Sequence, residues 1–359
     1  MNITFLIGNG FDLNIGLDTK YSDFLKEYAV ITDEDSDVFK KFKSQILKDQ
    51  KVWANAEKAF GEATKIFKEQ GYTAEDFCSC HEDFCVKLAA YLLGQEQRLN
   101  YSALSDGLVQ GFVSGVKNYK RSFREAEGEA ITAAENTFPG GYTYNFLSFN
   151  YTSVLDLCVE MLRPKSGLLG ARRTRNGTAT NQLGSVLHVH GTVHKDLVLG
   201  VNDLSQVAEP MLFDGYDEEY INELIKPKTN EINQENADKK AFDLLKGSDV
   251  IYVYGMSIGE TDKLWWERIC ELMLQKPNLH LILHQYDAPE DGLIRREFRL
   301  FVNKERKRFT AYSDLDDAKK ASIEARIHID RTNIFEGLLK IVESPTNEES
   351  SEKVLATMA

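Results

Sequence analysis

The chain has 359 residues and a formal net charge of −13, with an isoelectric point near 5.2. With 42% hydrophobic and 28% charged residues it has the composition of an ordinary globular protein, long enough to bury a core without disulfides or metal. The acidic balance argues against a broad sequence-independent phosphate-binding surface, which needs clustered Lys and Arg, so nucleic acid is not an expected partner.

Residues 2–7 form a short apolar strand that runs into Gly8. A helix is expected over 22–28 and a turn over the acidic stretch 33–37. From 38 to 119 the apolar residues recur at helical spacing. The stripes are Phe39, Phe42 and Ile46, then Trp53, Ala56, Phe60, Ala63 and Phe67, then Phe77, His81, Phe84 and Leu88, then Leu104, Leu108, Phe112 and Val116. They predict about four helices, inserted after the first strand–helix unit.

At Pro139-Gly140-Gly141 the pattern changes to a strand over 142–149, followed by Asn150-Tyr151-Thr152 and a helix to Leu162. The stretch 167–182 is polar and carries Arg172, Arg173 and Arg175; a mobile loop is expected. Strands follow over 185–189, ending at His190-Gly191, and over 197–201. A loop is expected over 226–236 and a helix over 237–246. A continuous apolar strand over 249–254 ends in Gly255-Met256-Ser257, and a helix beginning near Asp262 stops before Pro277. The last elements are a strand over 279–284, helices over 290–302, 315–326 and 333–342, and a polar tail from 344.

The five cysteines, Cys78, Cys80, Cys85, Cys158 and Cys270, are odd in number and irregular in spacing, which does not suggest a disulfide framework. Cys78 and Cys80 have one residue between them rather than the two to four of a zinc pair. Cys78, His81 and Cys85 fall at helical spacing, which favours buried thiols over a metal site. The first residues lack the basic flank and length of a signal peptide, and no apolar stretch reaches membrane-spanning length. A cytoplasmic location with no membrane association is the expectation.

Strands alternating with helices predict an α/β fold, a Rossmann-type, mostly parallel sheet built from residues 1–30 and 139–343. The helical insertion occupies 31–138 and a flexible tail 344–359. In such sheets ligands bind at the carboxyl ends of the strands. Four clusters fall there: residues 8–12, 148–152, 188–191 and 255–262. Glycines let a backbone approach a pyrophosphate, and amides at a helix start bind anions. Gly8-x-Gly10 after the first strand therefore favours phosphate binding over a plain turn. The full dinucleotide spacing is not met, because position 13 is Leu, and there is no Walker lysine. Asp12 would repel a phosphate; it suits a ribose hydroxyl, a water or a helix cap. Asn150 can hold a ribose hydroxyl or an attacking water, although in isolation a cap is the commoner role. His190 has the chemistry of a general base, with a structural histidine as an even alternative. Gly255 and Ser257 suit ribose or phosphate, and Asp262 a ligand contact or the helix dipole. Glu57 is either an acid or base of the site or a solvated helix charge. Arg172, Arg173 and Arg175 suit a 2′-phosphate less well than a solvated loop.

The motifs Ile7-Gly8-Asn9-Gly10-Phe11-Asp12, Gly16-Leu17, Asp23-Phe24, Phe149-Asn150-Tyr151-Thr152, His190-Gly191 and Tyr254-Gly255-x-Ser257 resemble, in this order, the AbiH family of bacterial phage abortive-infection proteins. The order also resembles the sirtuin-like superfamily, in which such clusters surround NAD. The resemblance implies a nucleotide site in which Gly8, Asn9, Gly10, Phe11 and Asp12, with Gly255, Ser257 and Asp262, contact the cofactor. It implies that Asn150 works at the nicotinamide ribose and that His190 is the catalytic histidine. This chain lacks the four-cysteine zinc ribbon of sirtuin deacylases, so hydrolysis of the nicotinamide–ribose bond of NAD is expected rather than protein deacylation. The alternatives are a metal-dependent nuclease or nucleotide phosphohydrolase using Asp12, Glu57, His190 and Asp262, and a non-catalytic nucleotide sensor. A phage-derived trigger or partner protein, and self-association through the helical insertion, complete the implied partners.

Overall fold

Six strands carry the architecture: β1 (Asn2–Ile7), β2 (Thr143–Ser148), β5 (Gln182–His188), β6 (Val250–Tyr254), β7 (His280–His284) and β8 (Ile327–Asp330). In this computed structural model they pair in the order β5-β2-β1-β6-β7-β8, and every pairing is parallel. The described residues are 1–53, 55–99, 101–121, 123, 125–175, 177–232, 236–286 and 296–342. Counting only the sheet strands, the order reads 3-2-1-4-5-6, the doubly wound arrangement of a Rossmann-like α/β protein. The chain leaves β1 toward one half and later enters β6 in the other, so the switch point lies between β1 and β6.

Parallel strands covered on both faces read as unbroken apolar runs. Thus every residue of β6, Val250-Ile251-Tyr252-Val253-Tyr254, is buried. The twofold alternation of a strand divides the two faces. In β1, Ile3, Phe5 and Ile7 face one core, while Leu6 faces the other. The first core is completed by Phe112, Phe146 and Phe335, and the second by Trp266, Leu281 and Phe309.

Helices α1 (Gly10–Ile15) and α2 (Tyr21–Tyr28) follow β1, and then come α3 (Asp37–Lys48), α4 (Gln50–Trp53), α5 (Ala56–Glu69), α6 (Ala74–Gln97), α7 (Tyr101–Lys117) and α8 (Glu125–Asn136). The helical run divides in two. Residues of α2 to α6 share a third core, rich in edge-to-face aromatic pairs such as Phe42 with Trp53 and Phe60 with Phe84. Phe112 of α7 instead stacks on Phe335 and lies against Phe146, so α7 covers the sheet as a crossover helix. The apolar spacing of α7 gives a helix but does not say which partner it faces.

Four further segments differ from the sequence expectation. Residues expected to be a mobile loop form an antiparallel hairpin, β3 (Ala171–Thr174) with β4 (Gly177–Thr180). Within the expected loop at 226–236 lies a helix, Lys226–Ile232. Residues 197–201 form no strand, only an isolated bridge from Val201 to Ile225. The expected helix at 333–342 is a short 3-10 turn, Glu336–Leu338. Of the helix expected over 290–302, residues 296–302 begin the helix Arg296–Thr310; 290–295 and the tail from 344 lie outside the described residues. Among the described residues no helix is long and apolar enough to cross a membrane.

Candidate functional site

A cavity of about 910 Å³ opens at the carboxyl ends of β1, β2, β6 and β7, astride the switch point. That size is in the range of small-molecule and cofactor sites. Gly8, Asn9, Gly10 and Asp12 line it from β1; Phe149, Asn150, Tyr151 and Thr152 from β2; Gly255, Ser257 and Asp262 from β6; His284 from β7. The opposite wall comes from the helical insertion and its entry, through Tyr21, Asn55, Glu57, Leu88 and Leu92. The insertion therefore caps the strand exits.

Three glycines let the two central loops meet. Gly8 N–H donates to the Tyr254 carbonyl at 2.9 Å and Gly10 N–H to the Gly255 carbonyl at 2.8 Å. A Cβ on Gly10 would lie 2.4 Å from the Gly255 Cα. Gly255 itself adopts φ +68°, where glycine is at ease. The glycine pair is thus required by backbone packing at the switch point, whatever ligand lies above it. Asn9 is tied down by its own loop: its Nδ2 donates to the Thr19 carbonyl, and its Oδ1 accepts from the Thr19 hydroxyl. Phe11 is fully buried and packs edge-on against Phe112, Tyr254 and Phe335, so it belongs to the core and does not line the cavity.

Asp12 and Asn150 form the most unusual part of the wall. Asp12 is 1% exposed. Its carboxylate accepts from Asn150 Nδ2 at 3.1 Å and from the Thr152 hydroxyl at 2.6 Å. Burial pushes the Asp12 carboxyl up to about 7, despite those two donors. Asn150 is also buried, and its Oδ1 has no hydrogen-bond partner. Its backbone carbonyl accepts from or faces His188 Nδ1 at 3.1 Å, while His188 Nε2 lies 2.6 Å from Asp156 Oδ2. His188 therefore anchors the Asn150 main chain from behind the cavity.

His190 is set apart from this wall. Gly191, at φ +68°, turns the chain away after β5. The His190 ring packs edge-on to Phe149 and near Tyr151, one layer behind the cavity, and is not among its lining residues. Burial, with Lys226 and His188 nearby, holds it well below the usual histidine range, so it is neutral at physiological pH.

A buried ion cluster joins the cap to the sheet. Lys226, 3% exposed, donates to Glu57 Oε2 at 2.8 Å and to the Thr261 carbonyl at 3.3 Å, and lies 3.9 Å from Asp262 Oδ1. Tyr151 hydroxyl donates to the other Glu57 oxygen at 3.3 Å. Burial pushes the Asp262 carboxyl up, with Lys226 opposing and Glu57 adding to the shift. Glu57 is thus a site residue rather than a solvated charge. Lys226 escapes sequence reasoning, because a single lysine in a polar stretch gives no signal until its partners are placed. His284 escapes it too: its ring stacks on Tyr254 and its Nε2 is buried without a partner, and burial lowers its pKa to about 4. Arg172, Arg173 and Arg175 lie on the β3–β4 hairpin, at a separate cavity of about 360 Å³. All five cysteines are free, and among the described residues no three His, Cys, Asp or Glu side chains converge as a metal site.

These features define a Rossmann-like α/β protein with a helix-capped cavity at the topological switch point. The family model described as Bacteriophage abortive infection AbiH matches residues 4–283, and the chain belongs to the AbiH family. Membership carries a role in bacteriophage abortive infection. Neither a curated protein nor a solved structure matches the chain.

Proposed function

We propose that the switch-point cavity binds a nucleotide, NAD or a close relative, and that the protein acts in abortive infection by hydrolysing the nicotinamide–ribose bond. The observation that carries this reading is Asn150, whose buried Oδ1 has no partner although the residue lines the cavity. An unsatisfied buried acceptor costs about 1–3 kcal/mol, a cost that a ligand hydroxyl or an oriented water relieves. The order of the strand-exit motifs, similar to that of the sirtuin-like superfamily, supports the same ligand. By that resemblance Asn150 takes the part of the asparagine that works at the nicotinamide ribose.

Hydrolysis breaks the bond from ribose C1 to the nicotinamide nitrogen. Water supplies a hydroxyl to C1, nicotinamide leaves as a neutral base, and one proton is released. The transition state is oxocarbenium-like and positively charged at the ribose, as in glycoside hydrolysis generally. Asp12 lines the cavity and supplies negative charge to it on the alkaline side of about pH 7, where its carboxyl is ionised. The neutral, recessed His190 has no direct part in this chemistry; it supports Phe149 and Tyr151.

Incubating purified protein with NAD and separating the products by chromatography tests the reading. Nicotinamide and ADP-ribose are expected, and Asn150→Ala should abolish their release. Tight binding without cleavage would make the protein a nucleotide sensor. If NAD at millimolar concentration is neither bound nor cleaved, the proposal fails.

A further inference from the structure

We infer that Asp12 is the positioning residue of this cavity: its carboxylate holds Asn150 with the amide nitrogen turned inward, so that the wall presents a carbonyl oxygen and selects a hydroxyl donor. The inference rests on the nucleotide reading for the identity of the ligand, but not for the orientation of Asn150.

A carboxylate only accepts hydrogen bonds, so the side of Asn150 that meets it must be the amide nitrogen. The geometry agrees, with Nδ2 donating to Asp12 Oδ1 at 3.1 Å. The two ends of a primary amide are nearly identical in shape, and only their partners tell them apart. The rest of Asn150 is already fixed. Its backbone N–H donates to the Ser148 hydroxyl at 3.3 Å, and its carbonyl faces His188 Nδ1. Rotation of the terminal amide is the freedom that remains, and Asp12 decides it. Thr152 holds the carboxylate in place by donating to its second oxygen. With Nδ2 on Asp12, Oδ1 is the buried, unpartnered end of the amide, and a group that reaches it must donate: a ribose hydroxyl or a water fits, and carbonyl and phosphate oxygens are repelled.

The charged and titratable surroundings of Asp12 are Glu96 on α6, His188 at the end of β5 with its partner Asp156, and Cys158 in the helix Val154–Leu162. Glu96 disfavours the carboxylate and His188 favours it; burial outweighs both. Protonated Asp12 can donate a hydrogen bond and no longer dictates the amide orientation, so the lock is engaged on the alkaline side of about pH 7.

The test uses the full chain with Asn150 observed through its side-chain amide 15N resonances, alongside NAD turnover. In the wild type the Asn150 amide signals should shift as pH passes through about 7. In Asp12→Asn this dependence should vanish. NAD turnover should fall roughly 10–100-fold and lose its pH dependence, as expected when a reacting group is misplaced. Melting temperature at pH 8 should be no lower than that of the wild type, because a buried charge has been removed. That combination separates positioning from a merely structural role. Thr152→Val, which removes a donor to the carboxylate, should move the midpoint of the amide response upward. An unresponsive Asn150 amide, or an Asp12→Asn protein with wild-type turnover and pH profile, would overturn the inference. If the wild type ignores NAD while the amide titration behaves as described, the nucleotide reading fails and the positioning role of Asp12 stands.

Discussion

Replacing Lys226 with Met removes the cation at the centre of the cap-to-sheet cluster and preserves most of its volume. The ammonium is buried beside two carboxylates, 2.8 Å from Glu57 and 3.9 Å from Asp262, and it also satisfies the Thr261 carbonyl. Breaking a buried pair from one side leaves an uncompensated charge and costs roughly 3–5 kcal/mol. Here Asp262 is already pushed toward its neutral form by burial. Lowering the pH neutralises Asp262, so the loss should shrink as the pH falls. Urea unfolding followed by tryptophan fluorescence reads the effect. A urea slope of about 3 kcal/mol/M or more is expected for a chain of this size, so the midpoint should drop by about 1 M at pH 7.5. Adding Glu57→Gln removes one orphaned charge and should recover a substantial part of the loss. The reasoning is refuted if Lys226→Met unfolds within about 0.5 kcal/mol of wild type at pH 7.5, or if the second substitution deepens the loss.

The pH dependence of stability carries the mark of Asp12. Its folded-state pKa lies above the unfolded value, so the stabilisation is complete below about pH 4 and is lost as pH rises through about 7. Asp12→Asn should flatten that decline, by up to roughly 4 kcal/mol at alkaline pH, in urea melts across the range; an unchanged slope between pH 5 and 8 would count against it. Gly10→Ala pushes a methyl to within 2.4 Å of the Gly255 Cα and should cost about 1–3 kcal/mol or more. Gly94→Ala, in the open interior of α6, should instead gain roughly 0.5–1 kcal/mol. Equal effects of the two would contradict the packing described at the switch point. The thiols of Cys78, Cys80, Cys85, Cys158 and Cys270 are all pushed up to about 12 by burial. Native protein at pH 8 should therefore alkylate far more slowly than denatured protein; rapid modification of any one of them would show a thiol environment unlike the one described.

Much of the sheet is legible in the chain because parallel strands buried on both faces are continuous apolar runs. β1, β6 and β7 announce themselves this way, while β2, Thr143-Tyr144-Asn145-Phe146-Leu147-Ser148, is marked by the Pro139-Gly140-Gly141 break before it and by its aromatic residues. β8 does not: Ile327-His328-Ile329-Asp330 is four residues long, half polar, and gains its meaning from pairing with β7. The hairpin of β3 and β4 is missed because Ala-Arg-Arg-Thr and Gly-Thr-Ala-Thr show no apolar alternation. The cavity walls are foreshadowed because every exit of a parallel sheet faces the same edge, which is why residues 8–12, 150–152 and 255–262 converge. Two things stay hidden. Lys226 lies 169 residues from Glu57 in sequence, and burial alone makes their pairing consequential. The fate of His190 depends on the turn at Gly191, where a Cβ would strike the Asp196 carbonyl; a His-Gly pair after a strand does not reveal which way the chain then goes.

The central claim is that a nucleotide lies against Asn150 at the switch point. A crystal structure of the protein soaked with NAD tests it most directly. The account predicts a ribose hydroxyl, or a water held beside the ribose, within about 3.2 Å of Asn150 Oδ1, with Nδ2 still on Asp12. NAD bound elsewhere, or absent from this cavity at saturating concentration, would contradict it.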